Sequence, residues 1–532
     1  MSELSTSTPG IPVSLFTPVA QSNTNQDVWR EILLYFRISL ANDCQDDVKS
    51  KRSVLLSIAL TCSELVEIAL DELWRSMVTL EPVLGVFGDQ PSIVLRSFLG
   101  MAYWVLDRVR SYLRRIRSLH FEEFPSYEEL ALWQTLSAVT RLPVICPALA
   151  ELWLDLAGDN NSGGPCVFLL LSSSLRSITL AGATLDSYPC IHMILSIIRS
   201  NGTQLLDVRC DGTMSSGVFH QITQFPSLHS LILQSPPSGD RLEEAELSPL
   251  DLLQNLTVIE MDIDMVSEAA EASLGRRLAG LQNLISLTLH GTRREIDNCF
   301  SSNLLFRSVE HLLLKLGGNQ ETDGEFLFPR LLVLFPNIHS LGLVVKEDDN
   351  ESILHSIEDI LVLKTRPMKR LHLDHVWNGF DVADFVTLLS TWPQLEELSL
   401  ASSKRANDDY FLEAEPILSH IATNAPHLTD LGLPLEFSSL GSSLVTHSPS
   451  LLRCPLKNLV LHSKTTVPEN MKEKLIVARN LISLFPRLTS VQEPHINTVA
   501  EKSGIEDLQE IISSFRALLS SPPGRPNHLF LS

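Results

Sequence analysis

His372, Asp374 and His375 are of types that ligate metals. They sit on a strand-to-loop segment, where imidazoles three residues apart diverge, so a surface pair is expected rather than a ligand pair. The loop Gly158-Asp-Asn-Asn-Ser-Gly-Gly164 is rich in glycine but has no Lys to reach a phosphate, and reads as a turn. No H-E-x-x-H, G-x-S-x-G or G-x-x-x-x-G-K-[ST] motif occurs. The basic run Arg108, Arg110, Arg114, Arg115, Arg117 is expected to be the solvated face of a helix rather than a phosphate site. Asn201, Asn255 and Asn350 open glycosylation-type triplets, but the first 20 residues lack the basic and apolar regions of a signal peptide, so these read as chance matches. The sequence therefore predicts no catalytic residue, no metal, no cofactor and no enzyme.

Composition narrows the class further. The chain has 532 residues, with 41 Lys+Arg against 63 Asp+Glu, a net charge of −22, and 44% apolar residues. That apolar content excludes a largely disordered chain. The negative field repels phosphate, so no nucleic-acid partner is expected. No apolar stretch approaches the roughly 20 residues that span a bilayer, so no membrane partner is expected. The 8 Cys are dispersed among apolar runs with no C-x-x-C pair, the pattern of reduced, buried thiols in a cytoplasmic or nuclear protein.

The elements that position any binding surface come from a repeat. The pattern L-x-x-L-x-L, with other apolar residues substituting, begins at Ile116, Leu149, Leu175, Leu205, Leu228, Leu256, Leu284, Val309, Ile338, Met368, Leu395, Leu428 and Leu456, with a half-match at Leu488. The mean spacing of about 29 residues lies at the upper edge of the leucine-rich-repeat range. A Pro often stands two residues before the first Leu, as in Phe225-Pro226-Ser-Leu228 and Phe485-Pro486-Arg-Leu488. An apolar helical pattern precedes many units, such as Ile191, Ile194, Leu195, Ile198. One unit cannot offset the entropy of ordering about 29 residues, at about 1–2 kcal/mol each, so units must stack. The predicted fold is an α/β leucine-rich-repeat solenoid with parallel strands on the concave side and helices on the convex side.

Residues 1–23 read as a disordered Ser/Thr/Pro-rich tail, 24–80 as a small all-α module, 81–115 as a helical linker, 116–500 as about 14 repeats, and 501–532 as a capping helix and tail. In the module, Val28, Trp29, Ile32, Leu33 and Phe36 line one helix, and Leu60, Cys62, Leu65, Leu73 and Trp74 follow in a second apolar segment. These two stretches, QDVWREILLYF and LLSIALTCSELVEIALDELW, resemble the F-box, although its Leu-Pro opener is missing and the gap between the halves is long. An F-box ahead of leucine-rich repeats resembles the fungal-type F-box/leucine-rich-repeat proteins. The resemblance implies a substrate-recognition subunit of an SCF-type cullin-RING ubiquitin ligase. Val28, Trp29, Ile32, Leu33, Phe36, Leu60, Leu65, Leu73 and Trp74 would bind a Skp-family adaptor and, through it, the cullin complex. The repeats would hold a protein substrate, raising the effective concentration of its lysines near a ubiquitin-loaded enzyme. The alternative is a non-catalytic interaction scaffold whose N-terminal helices are only a cap and bind no adaptor.

Alternation along each strand buries pattern positions 4 and 6 and turns 3, 5 and 7 to the concave face. Those positions carry ten acids (Glu122, Glu151, Asp155, Asp207, Asp211, Glu260, Asp262, Asp374, Glu397, Asp430) against Arg209, Lys315 and Arg370, with His120, His290, His311, His372 and His462 among them. Trp153, Asp207, Arg209, Glu260, Arg370, His372 and Asp374 are the candidate substrate contacts, Trp153 being the aromatic anchor. Two readings follow: a partner with a basic segment steered by this field, or acids that only keep the face soluble.

Overall fold

The leucine ladder builds strands where its spacing puts them. The computed structural model describes residues 24–40, 45–61, 63–85, 103–122, 127–157, 167–184, 187–234, 241–301, 304–317, 328–345, 357–377, 381–402, 412–442, 454–461, 465, 467–492 and 504–520. The N-terminal tail 1–23, the Gly158–Gly164 turn, Cys44, Cys62, Cys166, Asn350, His462, the residues beyond 520 and the side chain of His375 lie outside the described residues. Two compact units divide the chain: Met1–Leu154 with Ser162–Leu175, and Asp155–Asn161 with Arg176–Ser532.

The first unit opens with helices α1 (Thr24–Leu34), α2 (Gln45–Thr61) and α3 (Val66–Leu73). α3 packs against both of the others, around a core of Leu33, Ile38, Val48, Leu55, Leu65, Ile68 and Ala69. Strand β1 (Ser76–Met77) follows and pairs in parallel with β2 (Ser118–Phe121), which pairs with β3 (Glu151–Asp155). The ladder of this unit thus starts forty residues ahead of the Ile116 pattern, on a strand too short to carry L-x-x-L-x-L. The helix Tyr103–Arg115 is tied to α3 by ion pairs from Arg115 to Glu67 and Asp71, and by Tyr112 stacked on Trp74 with ring centroids 4.4 Å apart.

In the second unit twelve described strands line up in sequence order, all parallel. They run from β4 (Ser177–Ala183), β5 (Asp207–Gly212), β6 (Ser230–Gln234), β7 (Val258–Asp262), β8 (Ser286–Gly291) and β9 (His311–Leu316) to β10 (Ser340–Val345), β11 (Arg370–Trp377) and β12 (Glu397–Ser402), then Asp430–Leu433, Asn458–Leu461 and Ser490–Gln492. The register sets leucine against leucine, as Leu341 against Leu371 and Leu371 against Leu398. Burial alternates with the pleat: in β9, Leu312, Leu314 and Leu316 are buried while His311, Leu313 and Lys315 are half-open. Each inward Leu contributes about 1.5–3 kcal/mol, and because every strand buries its pair against both neighbours, the units hold only as a stack. The sequence reading of an α/β leucine-rich-repeat solenoid is the fold.

The residue before the marker Pro is buried in each unit where it occurs: Cys146, Phe225, Phe335, Trp392, Ala425 and Phe485 are all at most 5% exposed. Pro forbids continuation of the preceding helix, and the side chain ahead of it fills the joint between helix and strand. A second device spaces the repeats. The first two amides of a new strand donate to one carbonyl of the previous repeat, as Thr257 and Val258 do to His229 O, and Lys369 and Arg370 to His339 O. The helices pack in succession on the far side, Glu271–Gly280 against Arg293–Cys299 and Val382–Thr391 against Ala414–Asn424. Gly275 makes one of these contacts possible, because a Cβ there would fall onto the carbonyl of Cys299. The helix Gly504–Ser520 closes the stack, burying Ile505, Leu508 and Ile512, with Gln509 Oε1 accepting from Val491 N–H at 2.6 Å.

The described cysteines Cys146, Cys190, Cys210, Cys299 and Cys454 are free and buried. Burial pushes the thiols of Cys190 up to about 11 and of Cys210, Cys299 and Cys454 to about 12, so they stay protonated and inert. Among the described residues no helix is long and apolar enough to cross a membrane.

Candidate protein-binding surfaces

The N-terminal helices divide their apolar residues between a core and an open stripe. Leu33 and Leu65, grouped from sequence with the surface residues, point into the module's core, and Phe36 and Leu73 pack against that core. Trp74 is half-buried and held in its stack on Tyr112. Leu33 and Leu65 are buried and closed to a docking partner, while Phe36, Leu73 and Trp74 keep a half-open side. Val28 (56% exposed), Trp29 and Ile32 instead line the outer side of α1, Tyr35 (84%) stands open in the turn just after it, and Leu56 and Leu60 (79%) stand open one turn apart on α2. Tyr35 and Leu56 join the set from the structure alone. A helix gains nothing in its own fold from large apolar side chains left in water. An uncovered stripe of this kind marks a contact surface.

Trp153, the expected aromatic anchor, lies on β3 of the first unit, opposite His120 of β2. Their ring centroids are 3.3 Å apart with planes inclined at 61°. Burial holds the His120 imidazole down to about 4, so it is neutral at physiological pH. The pair is a fixed aromatic platform without charge.

On the open face of the second unit, the side chains of five strands join in one network. Arg209 of β5 donates to Asp211 at 3.0 Å and to Gln234 Oε1 of β6 at 3.2 Å. Gln234 Nε2 donates to Glu260 Oε1 of β7 at 2.8 Å. The same carboxylate meets Lys315 Nζ of β9 at 2.9 Å and His290 Nε2 of β8 at 2.8 Å, while His290 Nδ1 meets Asp262 at 2.9 Å. The hydrogen bond from His290 leads in holding the Glu260 carboxyl down to about 2; burial opposes it, and Lys315 and Gln234 add to it. Burial works against the charge of His290, but Asp262 and Glu260 outweigh it and raise its pKa above the ordinary value. Nearby, burial and a hydrogen bond shared with Glu295 push Asp264 up to about 6.

Other candidates form separate pairs: Arg370 Nε with Glu397 at 3.1 Å, and His372 with Asp374. Asp207 stands half-buried at the head of β5. So the structure brings Arg209 and Glu260 together and leaves Trp153, Asp207, Arg370, His372 and Asp374 elsewhere. Of the ten acids read from sequence, Asp211, Glu260, Asp262, Asp374 and Glu397 face a base or a histidine on the same sheet. Half of these acids are thus braced by partners on the sheet, while three bases against ten acids leave the face net acidic. Sequence reasoning missed Gln234, whose position 7 of its repeat pattern was the available signal.

Fold and surfaces together define a leucine-rich-repeat solenoid that offers contact area along its strands and on its N-terminal helices. No protein-family model matches the chain, and no curated protein matches it. Among solved structures, the crystal structure of a Rad7 and Elc1 complex in yeast matches at 17% identity with a TM-score of 0.35, covering 77% of this chain and 92% of that chain. A protein from Bacteroides fragilis matches at 13% identity and a TM-score of 0.25, covering 63% of this chain and 77% of that one. Scores this low say nothing of function.

Proposed function

We propose that the chain is the substrate-recognition subunit of an SCF-type cullin-RING ubiquitin ligase. A Skp-family adaptor docks on the outer stripe of α1 and α2, and the open faces of the repeat strands hold a protein substrate. The observation that carries this reading is the stripe Val28, Trp29 and Ile32, continued by Tyr35 in the following turn, exposed on a helix whose other side already packs in the module core. A partner helix laid on such a stripe reads anchors at i, i+4 and i+7. The chain itself performs no chemistry in this role; it brings substrate lysines to a ubiquitin-loaded enzyme.

The test is capture of a purified Skp-family adaptor by the full chain. Ile32→Asp and Leu60→Asp each place a charge in the interface, and each is expected to weaken capture at least about 30-fold, the size of a hot-spot loss of 2 kcal/mol. Equal capture by wild type and both variants refutes the docking site. No capture by wild type favours the scaffold reading, in which the helices only cap the repeats.

A further inference from the structure

Three side chains outside the proposed function meet where strands β9 and β10 begin. His311 of β9 faces Ser340 of β10, which sets Glu310 beside His339 one position earlier. The backbone there is pinned, because the N–H groups of His339 and Ser340 both donate to Glu310 O, at 3.0 and 3.1 Å. His311 and His339 are half-buried and Glu310 is the more open of the three, and one ligand atom from each lies within 4.8 Å of the others. His339 Nε2 is 3.0 Å from Glu310 Oε2, and the two imidazoles stand edge to face with centroids 4.8 Å apart.

We propose that Glu310, His311 and His339 form a binding site for a divalent transition metal of the zinc class. Donors around a tetrahedral zinc, with bonds of about 2.0–2.1 Å, stand about 3.3 Å apart. The Glu310–His339 pair already has that spacing. The His311 atom closes the remaining gap of at most about 1.5 Å by turning a half-exposed side chain. Two imidazoles and one carboxylate suit zinc, nickel or copper; calcium and magnesium want more oxygen donors. Three protein ligands leave one coordination position for water or for a side chain of a bound protein. Among the described residues His339 Nδ1 has no hydrogen-bond partner. Without an acceptor there to orient the ring, affinity falls about 10–100-fold below that of a fully supported site.

The site is tested on the full chain by titrating Zn²⁺ against a chromophoric chelator. Wild type is expected to take up one equivalent more than the double variant His311→Ala/His339→Ala. Glu310→Gln keeps the shape, removes the charge and weakens uptake at least about tenfold. His229→Ala changes the same repeat position in another unit and leaves uptake at the wild-type level. Matching circular dichroism melts without metal establish that the variants fold. Equal uptake by wild type and the double variant overturns the proposal, as does Ca²⁺ binding with the affinity of Zn²⁺.

Discussion

Replacing Glu260 by Gln tests whether the five-strand network is a stabilising structure or a surface ornament. The carboxylate is 19% exposed, so solvent screens it little, and its pKa falls from an ordinary 4.5 to about 2. At about 1.4 kcal/mol per pH unit this amounts to about 3 kcal/mol of folded-state preference for the charged form. The sign follows from the direction of the shift. A depressed carboxyl contributes fully above its unfolded value, and the contribution is lost as pH falls through the folded value. Gln keeps the shape and one acceptor oxygen but cannot carry the charge. The variant should be about 3 kcal/mol less stable than wild type at pH 7 and only about 1 kcal/mol less stable at pH 3. Repeat arrays open locally, so the fitting assay is native-state hydrogen exchange, comparing amides of β6–β9 with those of β11–β12. Protection should fall in the first set and hold in the second. A variant equally weakened at pH 7 and pH 3, or unchanged at pH 7, refutes the reasoning.

The His290 ring should titrate in the folded protein with an NMR midpoint above 6.5, since two carboxylates outweigh its burial; its contribution is full below 6.5 and lost as pH rises through the raised value. A midpoint below 6.5 would show that the network is not closed. Gly275→Ala should lower stability by about 1–3 kcal/mol, because the new methyl meets the backbone of Cys299 and one of the two helices must move; an unchanged melting temperature contradicts that packing. Leu65→Asp should melt the N-terminal module in limited proteolysis by burying a charge, whereas Leu60→Asp should leave the cleavage pattern as it is. Under native conditions iodoacetamide should leave Cys146, Cys190, Cys210, Cys299 and Cys454 unmodified in peptide maps, and modification of any of them places it nearer the surface than the fold does.

The inward residues of the repeat were legible because position and burial are locked together by a period of two. Ile259 with Met261, and Leu287 with Leu289, could face only the core once their strands formed. The division of the N-terminal apolar residues was not legible. Helical spacing marks Ile32 and Leu33 alike as members of one stripe, and only the arrival of α3 decides that Leu33 is covered and Ile32 is not. Strand β1 escaped notice because Ser76–Met77 has no pattern of its own and is ordered by its pairing with β2. The surface clusters were hidden for a different reason. Glu260 meets Lys315 across 55 residues of chain, and Glu310 meets His339 across 29. Such partners become neighbours through strand register, which single positions in a sequence do not display.

The C-terminal helix has one more consequence. The strand Ser490–Gln492 is the last of the described strands in its sheet, and Gln509 takes up the Val491 amide that would otherwise be open to another strand. Cut away behind residue 503, the chain would present a bare, leucine-backed terminus to its own kind. Two such stumps meeting edge to edge would be expected to pair, which the plug forestalls.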